Sequence, residues 1–100
     1  MLRCIVLYPN KSGGTFNFDY YLKTHIPLAN EILGGEFEVA KGLPGPGGEP
    51  PAYLCVATIK VASPDDFAAR NSKRGAELAA DIANYTNVTP TIQMEEILTG

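Results

Sequence analysis

Two segments of this chain are apolar on both of their faces. Side chains alternate along an extended backbone, so in the first segment Leu2, Cys4, Val6 and Tyr8 point one way while Ile5 and Leu7 point the other. In the second, Tyr53, Cys55, Ala57, Ile59 and Val61 oppose Leu54 and Val56. Strands of this kind belong in the middle of a sheet that is covered on both sides. With 100 residues in all, the chain makes one domain, and the rest of it must be arranged around these two strands.

The intervening segments read as two helices and two edge strands. Asn17 is placed to cap a helix by accepting from the N–H of Asp19 or Tyr20, with Phe16 stapled onto Tyr21. At ~100° per residue, Phe18, Tyr21, Leu22, His25, Ile26, Leu28, Ala29, Ile32 and Leu33 fall on one apolar half of this helix. Pro27 lacks an N–H for the Lys23 carbonyl and biases Ile26 away from the helical region, so a kink is predicted just after His25. Gly34-Gly35 ends the helix, and Glu36 to Lys41 alternates as an edge strand does. Four Gly and four Pro over residues 42–51 make a loop between strands. Ser63-Pro64-Asp65-Asp66 opens a second helix, expected to break near Ser72 to Gly75 before Asn84 to Asn87 terminates it. Val88 to Ile97 alternates again, with Gln93, Thr89, Thr91 and Glu95 sharing a face, and Pro90 marks an edge strand.

The order β-α-β-β-α-β, with right-handed crossovers and a central hairpin, defines an α+β, ferredoxin-like βαββαβ fold over residues 1–100. It is a four-stranded antiparallel sheet with strands 1 and 3 central and both helices on one face. The other face would then expose a large apolar patch. A homodimer with sheets facing each other is therefore expected, its pocket bounded by the barrel the two sheets form.

Composition removes several function classes. Eight Lys+Arg against eleven Asp+Glu give a formal charge of −3, with the basic residues scattered, so no nucleic-acid footprint exists. The longest apolar run is six residues, Ala52 to Ala57, which predicts no membrane span and, with no secretory layout, a cytoplasmic protein. Cys4 and Cys55 read as buried thiols, and one His with two separated Cys offers no metal motif, so no metal and no cofactor is expected. The 42–51 loop lacks both the P-loop and the GxGxxG patterns.

His25 is the only histidine and the one side chain suited to proton transfer at neutral pH. A neutral core imidazole satisfied by backbone is the alternative. The tyrosines at 8, 20, 21, 53 and 85 either line a ligand pocket or serve as core residues with hydroxyls at the rim. Gln93 either points its amide into the barrel or lies exposed on its edge strand.

Leu-Tyr-Pro-Asn at 7 to 10, the Phe18-Asp19-Tyr20-Tyr21-Leu22 run with His25, Pro27 and Leu28, and the later Ala80-Asp81-Ile82, Asn84-Tyr85-Thr86, Pro90 and Ile92-Gln93 together resemble the EthD family, named for ethyl tert-butyl ether degradation. The resemblance spans nearly the whole chain, and Tyr-Tyr-Leu-x-x-His-x-Pro-Leu is its most specific piece. It implies a dimeric α+β barrel and carries His25 over as the motif histidine, with Tyr21 and Asp19 beside it. Similar barrels include cofactor-independent monooxygenases, polyketide cyclases and lactone isomerases, so the fold alone does not select a reaction.

Two functional readings follow. One is a cofactor-independent enzyme acting on a small apolar or aromatic metabolite, with His25 and Tyr21 as catalytic residues and Tyr8, Asp19 and Gln93 contacting substrate. The other is a non-catalytic small-molecule-binding or accessory protein of an oxidative degradation pathway.

Overall fold

A computed structural model describes residues 1–100. Its elements run β1 (Leu2–Pro9), α1 (Phe18–Tyr20), a π-helical turn (Tyr21–His25), α2 (Ile26–Leu33), β2 (Glu36–Lys41), β3 (Tyr53–Val61), α3 (Pro64–Asp81), a 3-10 turn (Ile82–Asn84) and β4 (Thr91–Glu96). The four strands form one sheet in the order β2-β3-β1-β4, every neighbouring pair antiparallel. The doubly apolar strands β1 and β3 are central, as their side-chain pattern requires, and the fold is the ferredoxin-like α+β one.

Local signals act as the sequence predicts at both helix starts. The Asn17 side chain accepts from the Tyr20 N–H at 3.1 Å, and the Phe16 and Tyr21 rings meet edge to face at 4.9 Å. Ser63 Oγ accepts from the Asp66 N–H at 3.3 Å. After α2, Gly34 turns the chain at φ +70°, a conformation that favours glycine.

Two expectations need correction. Pro27 does not push Ile26 out of the helical region: His25 and Ile26 keep helical dihedrals (φ −68°, ψ −48° and φ −64°, ψ −44°). The helix instead widens over Tyr21–His25, with the Ile26 N–H bonded to the Tyr21 carbonyl. This one-turn change of hydrogen-bond register absorbs the N–H that proline lacks. Nor does α3 break at Ser72 to Gly75; it is one helix of 18 residues. The helix continues through Gly75 despite its propensity cost of about 1 kcal/mol, with ion pairs linking its turns before and across that position: Arg70–Asp66 at 2.9 Å, and Arg74 to Glu77 at 2.8 Å and to Glu31 of α2 at 3.1 Å.

The helices cover the face carrying Cys4, Val6, Tyr8, Cys55, Ala57 and Ile59. The register places Ile92 and Met94 beside Val6 and Cys4 on this face, and Gln93 beside Ile5 on the other. The smallest dimension of the molecule, 19 Å, is that of one sheet layer and one helix layer. No helix is long and apolar enough to cross a membrane.

α2 packs tightly on the sheet; α3 does not. Ala29, Ile32 and Leu33 of α2 are buried, whereas no residue of α3 is. α3 leans on α2; Phe67 and Leu78 of its inner face reach the core, and the small residues Gly75, Ala76 and Ala79 beside them leave a void above β1 and β4.

Candidate functional site

That void is a cavity of about 530 Å³, within the range of small-molecule sites. Its floor is the helix-facing side of the sheet and its roof is α2 and α3. On the β4 side Ile92 and Met94 are 64% and 51% exposed, which makes this flank the opening. The cavity is thus formed within one chain on the helix side of the sheet, whereas the sequence reading set the pocket between two facing sheets.

The walls are almost entirely apolar, but at one end four polar rings converge: Tyr8 from β1, Tyr21 and His25 from the π turn, and Tyr85 from the segment after α3. All four are buried. The Tyr8 and Tyr85 hydroxyls are 2.7 Å apart, and the Tyr85 hydroxyl lies a long 3.5 Å from His25 Nε2. The Tyr21 ring stacks on the imidazole, 5.3 Å between centroids at 13°. The π turn is the local cause: it sets Tyr21 and His25 over one another on the inner face of the helix.

On its far side His25 meets a carboxylate. Nδ1 of His25 lies 2.9 Å from Oδ2 of Asp81, the last residue of α3, with the two side chains only 8% and 12% exposed. The Tyr20 hydroxyl donates to Oδ1 of Asp81 at 2.6 Å, and the Asn84 amide donates to the same oxygen at 2.9 Å. Burial pushes the Asp81 carboxyl up, but hydrogen bonds from Tyr20, Asn84 and His25 outweigh it and hold the group below its ordinary value. An ionised Asp81 accepts from Nδ1–H, which leaves the Nε2 lone pair aimed at Tyr85 and the cavity. Burial first, and then the closeness of Tyr8, push the Tyr21 and Tyr85 hydroxyls well above the ordinary tyrosine value, so both are hydrogen-bond donors at neutral pH. Tyr8 is also raised by burial, less so because Tyr85 and Tyr21 hydrogen-bond to it.

Of the residues singled out in the sequence, Tyr8, Tyr21 and His25 come together. Asp19 and Gln93 do not join them. Asp19 is on the outward side of α1, paired with Lys23 at 2.8 Å and 74% exposed. Gln93 is on the sheet face away from the cavity, where its amide donates to Glu95 at 2.7 Å. The residue the sequence reading missed is Asp81. A signal for it existed: an acidic side chain ending a helix opposes the helix dipole, and such a placement calls for a partner. No cluster of three or more His, Cys, Asp or Glu side chains is arranged to hold a metal ion.

The fold and this site define a class: a ferredoxin-like α+β domain with a histidine-bearing apolar cavity between its sheet and its helices. The EthD domain matches residues 16–89, and the chain belongs to the EthD family. An EthD-like protein from Ralstonia eutropha is 34% identical, superimposes with a TM-score of 0.92, and is matched over 98% of this chain and 92% of its own. An ethyl tert-butyl ether degradation family protein from Bacillus halodurans, 22% identical over 97% of this chain and 99% of its own, shares the fold at a TM-score of 0.71. A dabb family protein with a ferredoxin-like fold from Mesorhizobium loti, 14% identical with 98% and 97% covered, does so at 0.55. None of the curated proteins matches the chain.

Proposed function

We propose that this EthD-family chain is a cofactor-independent enzyme that moves a proton on a small apolar or aromatic metabolite held in the sheet–helix cavity. The observation that carries this reading is the alignment Asp81–His25–Tyr85 at the end where polar rings converge in a mainly apolar cavity. Asp81 fixes the tautomer of His25, so that Nε2 accepts a proton from a carbon next to a carbonyl group. One of the paired Tyr8 and Tyr85 hydroxyls donates to the other, the resulting oxyanion accepts a hydrogen bond from the hydroxyl left free, and His25 returns the proton at a second position. Reactant and product are isomers, so no oxidant or reductant is consumed. Nε2 and the Tyr85 hydroxyl lie 3.5 Å apart at the polar end of the cavity, so a reacting carbon and the oxygen next to it would meet them side by side from the cavity. Tyr21, stacked on the imidazole, holds its plane. The two buried free thiols support a reducing, cytoplasmic setting.

Native mass spectrometry of the purified protein, followed by turnover assays on whatever metabolite it retains, tests the reading. His25→Ala is expected to lower turnover by about 10²- to 10⁴-fold while the fold persists. A retained compound that is always returned unchanged would instead support a binding or accessory role.

Pairing of two copies is part of the same proposal. The outer face of the sheet carries no helix, and Leu7, Leu54 and Val56 lie there half-buried, flanked by the Arg3–Glu95 and Lys60–Glu36 ion pairs. An apolar strip with a charged rim suits a symmetric contact between sheets. Light scattering should give the mass of a dimer, and Val56→Asp should give that of a monomer; a wild-type monomer at micromolar concentration overturns the pairing.

A further inference from the structure

We propose that the carboxamide of Asn71 is a second anchor of the cavity. It would select elongated, mainly apolar substrates that carry a hydrogen-bonding group at the end remote from the reacting centre. This rests on reading the cavity as the substrate site.

The polar side chains that line the cavity fall in two places. Tyr8, Tyr21, His25 and Tyr85 occupy one end; away from them, Asn71 is the one polar side chain in the lining. Asn71 belongs to the cavity-facing stripe of α3, in sequence with Phe67, Gly75, Leu78 and Ile82. Helices α2 and α3 run antiparallel, as the His25–Asp81 and Glu31–Arg74 contacts fix, so Asn71 lies at the end opposite His25. A rise of ~1.5 Å per residue puts Asn71 about 15 Å from Asp81 along the helix axis. A single small ring cannot reach both ends; a longer molecule can.

Two further features favour an anchoring role. The Asn71 amide, exposed at the cavity wall, forms no hydrogen bond within the chain, whereas Arg70 is engaged with Asp66 and Arg74 with Glu31 and Glu77. Both donors and the acceptor oxygen of Asn71 are therefore free for a ligand. Gly75, which weakens the middle of a long helix, also has a purpose here. A Cβ at this position would collide with the Asn71 side-chain oxygen, so glycine is what lets the amide lie along α3 at the cavity wall.

A matched pair of probes tests the anchor: trans-4-hydroxystilbene, with one hydroxyl, and trans-4,4'-dihydroxystilbene, with one at each end. The chain has no Trp, and three of its five tyrosines line the cavity, so tyrosine emission reports occupancy directly. The wild-type protein should bind the dihydroxy compound about tenfold more tightly, the effect of one hydrogen bond. Asn71→Leu should bind both compounds equally, at the affinity of the monohydroxy one. Gly75→Ala, which keeps the amide but displaces it and strengthens the helix, should do the same. A preference that survives in Asn71→Leu, or a wild-type protein that shows none, overturns the anchor and leaves the cavity reading standing. If neither compound quenches tyrosine emission, the anchor and the cavity as a ligand site both fail.

Discussion

Nδ1 of His25 lies 2.9 Å from Oδ2 of Asp81, and the other oxygen of that carboxylate is already occupied by Tyr20 and Asn84. The imidazole is thus held by a group that is itself held from two sides. Such outer partners fix which nitrogen of a histidine faces its ligand, and their removal is felt by both the fold and the site.

Asp81→Asn should therefore destabilise the protein by about 1–3 kcal/mol at neutral pH, since it turns a charged acceptor into a mismatched amide. The pH dependence has a definite sign. The folded-state Asp81 sits below its ordinary value, so its contribution is fully present above the unfolded value of ~3.9 and is lost as pH falls through the folded one. Thermal unfolding followed by circular dichroism at a series of pH values should show wild type and Asp81→Asn converging below about pH 4. A gap that stays constant down to pH 2 would contradict the assignment.

The Tyr8 and Tyr85 hydroxyls, 2.7 Å apart and buried, should behave as one unit. Either Tyr8→Phe or Tyr85→Phe strands a hydroxyl and should cost about 1–3 kcal/mol. The double variant should cost less than the sum, with a coupling of about 0.5–3 kcal/mol in chemical denaturation. Strict additivity would show that the two hydroxyls act independently.

Filling the cavity should separate fold from function. Ala79→Phe places a ring in the void under α3, where no well-packed core exists to be strained, so the melting temperature should hold or rise. Retained metabolite in native mass spectra should disappear. If ligand retention is unchanged, the binding site is elsewhere.

Burial pushes the Cys55 thiol up to about 12, and Cys4 is raised by the same cause. Neither should form appreciable thiolate at pH 8. Ellman's reagent should release little colour from the folded protein and two equivalents after guanidinium is added. Rapid labelling of Cys55 in the native state would mean that the aromatic cluster around it opens readily.

The strands, the two N-caps and the sheet order were legible because each rests on residues close in sequence or on strict alternation. Leu2, Cys4, Val6 and Tyr8 could take only one face together, whereas Gln93, on an alternating edge strand, could be read either way and lies on the face away from the cavity. What escaped was tertiary. The partner of His25 lies 56 positions away, and only the antiparallel packing of α2 on α3 brings the two together. Gly75 reads locally as a helix breaker, yet α3 runs through it, tied to α2 by the Arg74–Glu31 pair that no local pattern announces. The small residues Gly75, Ala76 and Ala79 were visible too, but a stripe of small side chains looks the same whether it packs closely or leaves a space.

That no residue of α3 is fully buried has a further consequence for how this molecule breathes. A helix held only by part-buried side chains such as Phe67 and Leu78 contributes less to the global free energy than the central strands, so its amides should exchange hydrogen through local opening before those of β1 and β3. A molecule seated in the cavity would provide the apolar contacts that α3 lacks. Occupancy should then protect α3 from exchange more than any other element, by mass action on the closed form. In thermodynamic terms the metabolite would complete a hydrophobic core that the polypeptide leaves unfinished.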